Sequence, residues 1–287
     1  MIKKFIFILA VLISAQSFSQ RSTSSPYSYF GVGEEFGTRT VEQISMGSIG
    51  AAYSSPSYLN FVNPASLSEL RLATYVFGVL NNDLTISDAD VNQSTNSTSL
   101  SYFSIAFPLS KKMAVVFGMQ PTSSVGYSLI NTLNDDEGNF EEITQYVGSG
   151  DVNRIYGGFG LKLFKGFSVG LELDFLFGNI QNNVLNIRDE VTLATKNVED
   201  SNVRGGSIKL GAQYKTTLTK DINLHVGASF KLGNSLNSTG TENLYSLSLG
   251  ASGFEQPRDT IFSGPLTANL ERPLETILGL GLGKTNK

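Results

Sequence analysis

The feature that most constrains this chain is a side-chain period of two, held over long runs. From Phe167 one set reads Phe167, Val169, Leu171, Leu173, Phe175 and Phe177, while the interleaved set reads Ser168, Gly170, Glu172, Asp174 and Leu176. The pattern returns at Ile208, Leu210, Ala212 and Tyr214 against Lys209, Gly211, Gln213 and Lys215. A third copy sets Ile222, Leu224, Val226, Ala228 and Phe230 against Asn223, His225, Gly227, Ser229 and Lys231. Successive strand side chains point to opposite faces, so each run is a strand with one greasy and one mostly polar side. Composition indicates what the greasy side meets. Only 16% of the 287 residues are charged, against about 25% in an ordinary soluble domain, while Gly (29), Phe (19) and Tyr (11) are plentiful. An all-β protein whose outer surface does not face water is expected.

Residues 1–19 read as a signal peptide. Lys3 and Lys4 form a positive start, Phe5 to Ala15 an apolar stretch, and Ser17-Phe18-Ser19 a small-residue cleavage site before Gln20. The apolar stretch falls short of the roughly 20 residues that a membrane-spanning helix needs, and no later window supplies them. An exported chain without a spanning helix is either soluble or a membrane β-barrel, the other structure that satisfies every backbone group in lipid.

Connection lengths favour the barrel. Tight turns fall at Ser110-Lys111-Lys112, Lys165-Gly166 and Lys220-Asp221, while long stretches rich in Asn, Asp, Ser and Thr occupy 81–97, 130–150, 182–202 and 237–271. Short turns alternating with long loops are the layout of outer-membrane barrels. Candidate strands are 71–80, 98–109, 113–127, 152–164, 167–181, 204–218, 222–236 and 272–283, most of them long enough to cross a bilayer at a tilt. Tyr102, Tyr127, Tyr146, Tyr156, Tyr214 and Tyr245 lie near proposed strand ends, as an interfacial girdle would. Glycine runs such as Gly157-Gly158-Phe159-Gly160 suit a wall against which something bulky lies. After a strand ending at Gly283, Lys284-Thr285-Asn286-Lys287 resembles another tight turn, so further strands are expected beyond it. The expectation is thus a transmembrane antiparallel barrel at 71–287, incomplete at its C-terminus, behind a segment at 20–70 that occupies its interior.

That segment carries Gly47-Ser48-Ile49-Gly50-Ala51-Ala52 and then Asn63-Pro64-Ala65-Ser66-Leu67. Asn is a good N-cap and Pro is favoured at the first helical position, so a short helix is predicted from Pro64. The small-residue run followed by Asn-Pro-Ala resembles the N-terminal hatch of the FadL/TodX outer-membrane transport family. The resemblance implies a barrel of about fourteen strands, about eight of them in this sequence. It also implies passive uptake of hydrophobic cargo such as long-chain fatty acids, with Asn63, Pro64 and Ala65 in the gating hatch and Gly47 and Gly50 in its packing. Outer-membrane lipids and hydrophobic small molecules would be its partners. The opening Ser25-Pro26-Tyr27-Ser28-Tyr29-Phe30-Gly31 instead resembles barrel proteins of gliding and gut-type Gram-negative bacteria, some serving secretion machinery. It supports a second reading, a structural or secretion-associated barrel acting through secretion or periplasmic proteins.

Composition excludes other chemistries. Without Cys there is no thiolate zinc site or cysteine nucleophile, and with His225 as the lone His there is no multi-His metal centre. An acidic chain with net charge −4 is a poor nucleic-acid binder. His225 falls on a polar inward face, and Glu172 and Asp174, two apart on one strand, read as lumen polarity; no nucleophile–base arrangement is apparent and no enzymatic role is expected. Asn134-Asp135-Asp136-Glu137-Gly138 lacks the spacing of a calcium loop and reads as a solvated tip. No cofactor and no metal is expected.

Overall fold

A computed structural model describes residues 23–87, 92–250 and 253–284. The expected signal peptide at 1–19 and the expected turn residues Thr285, Asn286 and Lys287 lie outside the described residues.

One antiparallel sheet of 11 strands dominates. In chain order these are β1 (Glu34–Glu35), β2 (Thr74–Ser87), β3 (Asn92–Ser110), β4 (Met113–Asn134), β5 (Phe140–Phe164), β6 (Phe167–Arg188), β7 (Ala194–Thr219), β8 (Ile222–Lys231), β9 (Asn234–Leu249), β10 (Glu255–Arg272) and β11 (Glu275–Lys284). From β2 to β7 each strand pairs with the next. The last two crossings are split. β7 pairs with β8 near one end and with β9 near the other, so β8 and β9 form one run interrupted at Leu232-Gly233. β11 and β10 follow them in the same way, interrupted at Pro273-Leu274, where Pro273 has no N–H to donate. The meander therefore crosses eight times, at the eight places that the alternation marks. Among the described residues it does not close: β2 pairs only with β3, and β10 and β11 only with β9 and β8. The result is a curled open sheet.

The tight turns stand where expected, but the long polar loops do not exist as loops. Most of 81–97, 130–150, 182–202 and 237–271 is paired strand, and the hairpin between β4 and β5 turns only at residues 135–139. Polar composition misleads there because cross-strand side chains satisfy one another. Asn186 donates to Thr144 at 2.9 Å, Thr98 to Asn81 at 2.7 Å, and Asn197 to Glu242 at 3.2 Å.

Polarity across the sheet is inverted relative to a water-soluble protein. Leu173 and Phe175 are more than half exposed, whereas Glu172 and Asp174 between them are buried at 3% and 6% exposure. The buried side faces the N-terminal segment, which lies within the curl. That segment contains a 3₁₀ turn at Pro26–Tyr29, β1 against β4, helix α1 (Val41–Ser45) and a 3₁₀ helix at Pro64–Glu69. Thr40 and Gln43 close α1 with a capping box, which fixes where the helix starts. Apolar contact seals the seat: Leu59, Phe61, Leu67 and Leu70 pack on Tyr102, Ala106, Ala114, Val116 and Tyr156 of the wall.

Most of the proposed tyrosine girdle is therefore corrected, including Tyr146, which packs against the buried cluster around Tyr127 and against Tyr29 of the segment. Tyr102, Tyr127 and Tyr156 are almost fully buried on the inner face. Their parity decides this, since Tyr102 shares a face with Ser104 and Ala106, and Tyr156 with Arg154. Their hydroxyls find inner partners: Tyr102 accepts from the Val41 N–H at 3.1 Å, and Tyr127 donates to Asn182 at 2.9 Å.

Candidate functional site

The inner face where the segment meets the wall concentrates the polar groups of this molecule. Asn63 organises it. Its side-chain oxygen accepts from the Ala65 N–H at 3.0 Å, capping the 3₁₀ helix that Pro64 begins. Its amide nitrogen lies 2.7 Å from the Ala51 carbonyl and 3.1 Å from the carbonyls of Ala212 on β7 and Ala228 on β8. One side chain thus ends a loop, starts a helix and touches two strands.

The wall comes close enough to do this because it lacks side chains at the contact. A Cβ on Gly211 would stand 2.1 Å from the Asn63 oxygen, and one on Gly170 would stand 2.3 Å from the Ala65 nitrogen. Both glycines lie on the polar inner face that the alternation defines. Within the segment, Gly50 abuts the Val62 side chain, while Gly47 adopts φ +76° after α1 with open space beside it.

Further wall residues hold the segment's backbone. Lys209 donates to the Phe61 carbonyl at 3.0 Å, and Ser229 to the Val62 carbonyl at 2.7 Å. Gln213 reaches both Ala51 and Tyr53 at 2.9 Å. Ser68 and Ser168 bond at 2.8 Å, and Lys162 forms an ion pair with Glu69 at the helix end.

Beneath the segment lies a buried ionic cluster. Arg154 on β5 has no exposed side-chain surface. Its guanidinium donates to Glu172 at 2.9 Å and to Asp174 at 3.0 Å, both on β6, and to Gln120 on β4 at 2.6 and 3.0 Å. The same group lies 4.5 Å from the centre of the Tyr156 ring. Lys209 closes the cluster with a 2.7 Å contact to Glu172. Strand register then extends the charges sideways: Glu172 stands opposite Lys209, Lys209 opposite Lys231, and Lys231 opposite Glu275. Two cations and two carboxylates neutralise one another inside the cluster, as burial demands.

This arrangement ties the segment to the wall through hydrogen bonds of Lys209, Gln213 and Ser229. The carboxylates of Glu172 and Asp174 are engaged by Arg154 and Lys209, and His225 lies on β8, outside their hydrogen-bond network. A cavity of about 310 Å³ remains between residues 36–39 and β7, β8 and β11, with Lys231 and Arg272 on its wall. At the hairpin tip, Asp135 accepts from the N–H groups of Glu137 and Asn139 at 3.0 and 2.7 Å, so its carboxylate builds the turn.

The structure brings Asn63, Pro64 and Ala65 into contact with the wall at Gly170, Gly211, Ala212 and Ala228. Sequence reasoning passed over Arg154 and Gln120. The usable signal was parity: Arg154 shares its face with Tyr156 and Gly158, the face on which Glu172 and Asp174 also fall.

Among known protein families, the model described as BamG matches residues 1–287 of the chain. No curated protein and no solved structure matches it. The family match overturns the resemblance to FadL/TodX, and with it the fatty-acid channel gated by a hatch. The physical reason is that Asn-Pro-Ala after a small-residue run encodes a capped 3₁₀ turn seated on a glycine-lined wall. That is a solution for filling a curled sheet, and it carries no information about cargo.

Proposed function

Because the chain belongs to the BamG family, we propose that it is an outer-membrane β-barrel component that acts through protein partners of the Bam outer-membrane assembly machinery, without catalysing a reaction. The family match along the whole chain is the observation that carries this reading, and it favours the partner-binding alternative over transport.

The geometry supports it in two ways. The exposed row containing Leu173 and Phe175 suits contact with lipid tails, and the inverted polarity suits a barrel wall. The seated segment suits a fixed filling. Displacing it would break the hydrogen bonds of Lys209, Gln213, Ser229 and Asn63 between wall and segment, at about 0.5–1.5 kcal/mol for each bond. Asn63, Pro64 and Ala65, with Gly47 and Gly50, are then parts of a rigid insert, and the rims are left to do the binding.

The test is affinity isolation of the tagged chain from detergent-solubilised outer membranes, combined with its depletion in cells. Co-isolation of Bam components and a fall in the assembly of other outer-membrane proteins, with labelled fatty-acid uptake unchanged, is the expected result. A chain that isolates alone, and whose depletion lowers only fatty-acid uptake, would overturn the reading.

A further inference from the structure

The tight-turn rim and the hairpin-tip rim carry opposite charge. The β3–β4 turn presents Lys111 and Lys112, the β5–β6 turn Lys165, and the β7–β8 turn Lys220 beside Asp221. Lys284 ends β11 at the same rim, opposite Ile222. These lysines are exposed, and among the described residues their side chains make no ion pair. At the far rim Asp135, Glu137, Glu141, Asp189 and Glu190 are exposed, with Arg188 engaged by Glu142 at 3.0 Å. A net charge of −4 conceals this separation.

The basic character also continues inward. On the concave side of the tight-turn rim, Lys162 and Arg71 both pair with Glu69, and Lys215 bonds Ser54 of the seated segment nearby. The cations therefore cover this end of the curl, its arc of turns and the concave side behind them, with Glu69 and Asp221 the acids set among them.

We propose that this basic end of the curl is a docking surface for an acidic face of a protein partner. A bilayer touches only the outer circumference of a barrel, so phospholipid headgroups would reach the turn lysines and miss the concave side. A folded acidic surface matches both at once, and like-signed clusters of this kind steer association and fix orientation. The proposal rests on the reading of the chain as a partner of assembly machinery, and it names the rim and the charge through which the contact is made.

The experiment compares the tagged full chain with two variants carrying Lys111, Lys112, Lys165 and Lys220 replaced together, by Glu in one and by Arg in the other. All are isolated from outer membranes at equal abundance, and recovered Bam components are quantified at about 150 mM salt and in a salt series, since exposed charges are screened over about 8 Å there. A synthetic poly-glutamate peptide titrated onto each purified chain supplies a direct probe. The expected result is at least a tenfold loss of partner and peptide binding in the Glu variant, retention in the Arg variant, and weakening of the wild type with salt. Should the Glu variant fail to reach the membrane, the salt series and a Lys111→Glu/Lys112→Glu variant carry the test. Equal recovery by wild type and Glu variant overturns the rim proposal alone. Rim photo-crosslinks that join only phospholipid also overturn it. Absence of Bam components from the wild type overturns the broader reading instead.

Discussion

Lys209 on the wall and Phe61 on the seated segment are joined by a 3.0 Å hydrogen bond, made by the same ammonium that closes the buried cluster through Glu172 at 2.7 Å. The clamp and the charge balance therefore share one side chain. Lys209→Met should remove both, leaving the Glu172 carboxylate with Arg154 as its remaining cation. Breaking one side of a buried pair costs about 3–5 kcal/mol. The check is the unfolding midpoint in detergent with increasing urea; a loss under about 1 kcal/mol would contradict this role.

The close approach at Gly211 gives a sharper geometric test. Gly211→Val puts a side chain where the Asn63 oxygen lies, 2.1 Å from its Cβ, so the segment must lift or the strand must shift. Overpacking of this kind costs about 1–3 kcal/mol. Limited proteolysis should then cut within 47–62 in the variant and spare the native chain. Gly283→Ala, placed where nothing lies within 4 Å, should behave as the native chain does.

Acid should loosen the helix end. Burial pushes the Glu69 carboxyl up, but the hydrogen bond from Lys162 and the charges of Lys215, Lys162 and Arg71 outweigh it and hold the group below its ordinary value of 4.5. A carboxylate held low in the folded state stabilises fully above that ordinary value and loses its contribution as pH falls through the folded one. Thermal unfolding midpoints should thus be steady from neutrality to about pH 5 and drop below it. Glu69→Gln should lower the neutral midpoint and flatten the acid drop; an unchanged acid profile would assign the effect elsewhere.

The outward row bears on the membrane reading. Phe175 is 54% exposed on the face opposite Asp174. If that face meets lipid, Phe175→Arg should cost about 2–4 kcal/mol near the bilayer midplane and reduce the amount of heat-resistant folded protein in the outer membrane. Phe175→Leu should be tolerated. Equal accumulation of the Arg variant would place this row in water.

Periodicity alone determined the local architecture. The alternation from Phe167 marks β6 and assigns each residue a face, because a strand's side chains can point only two ways. Lys165-Gly166 marks the turn beside it, where Gly166 takes φ +86°, and Asn63-Pro64 marks a cap and helix start, since both depend on neighbours in sequence. Tertiary structure decided the rest. Asn, Ser and Thr at 182–202 form strand rather than loop because their partners lie across the sheet, on β5 and β9, and are invisible to a local reading. Parity sends Tyr102 and Tyr156 to the inner face, but only the tertiary structure shows that they meet Phe61 of the segment there. Arg154 is buried because Glu172, Asp174 and Gln120 converge on it from two flanking strands. Such convergence is set by register and curl, through which residues far apart in the chain come within hydrogen-bond range.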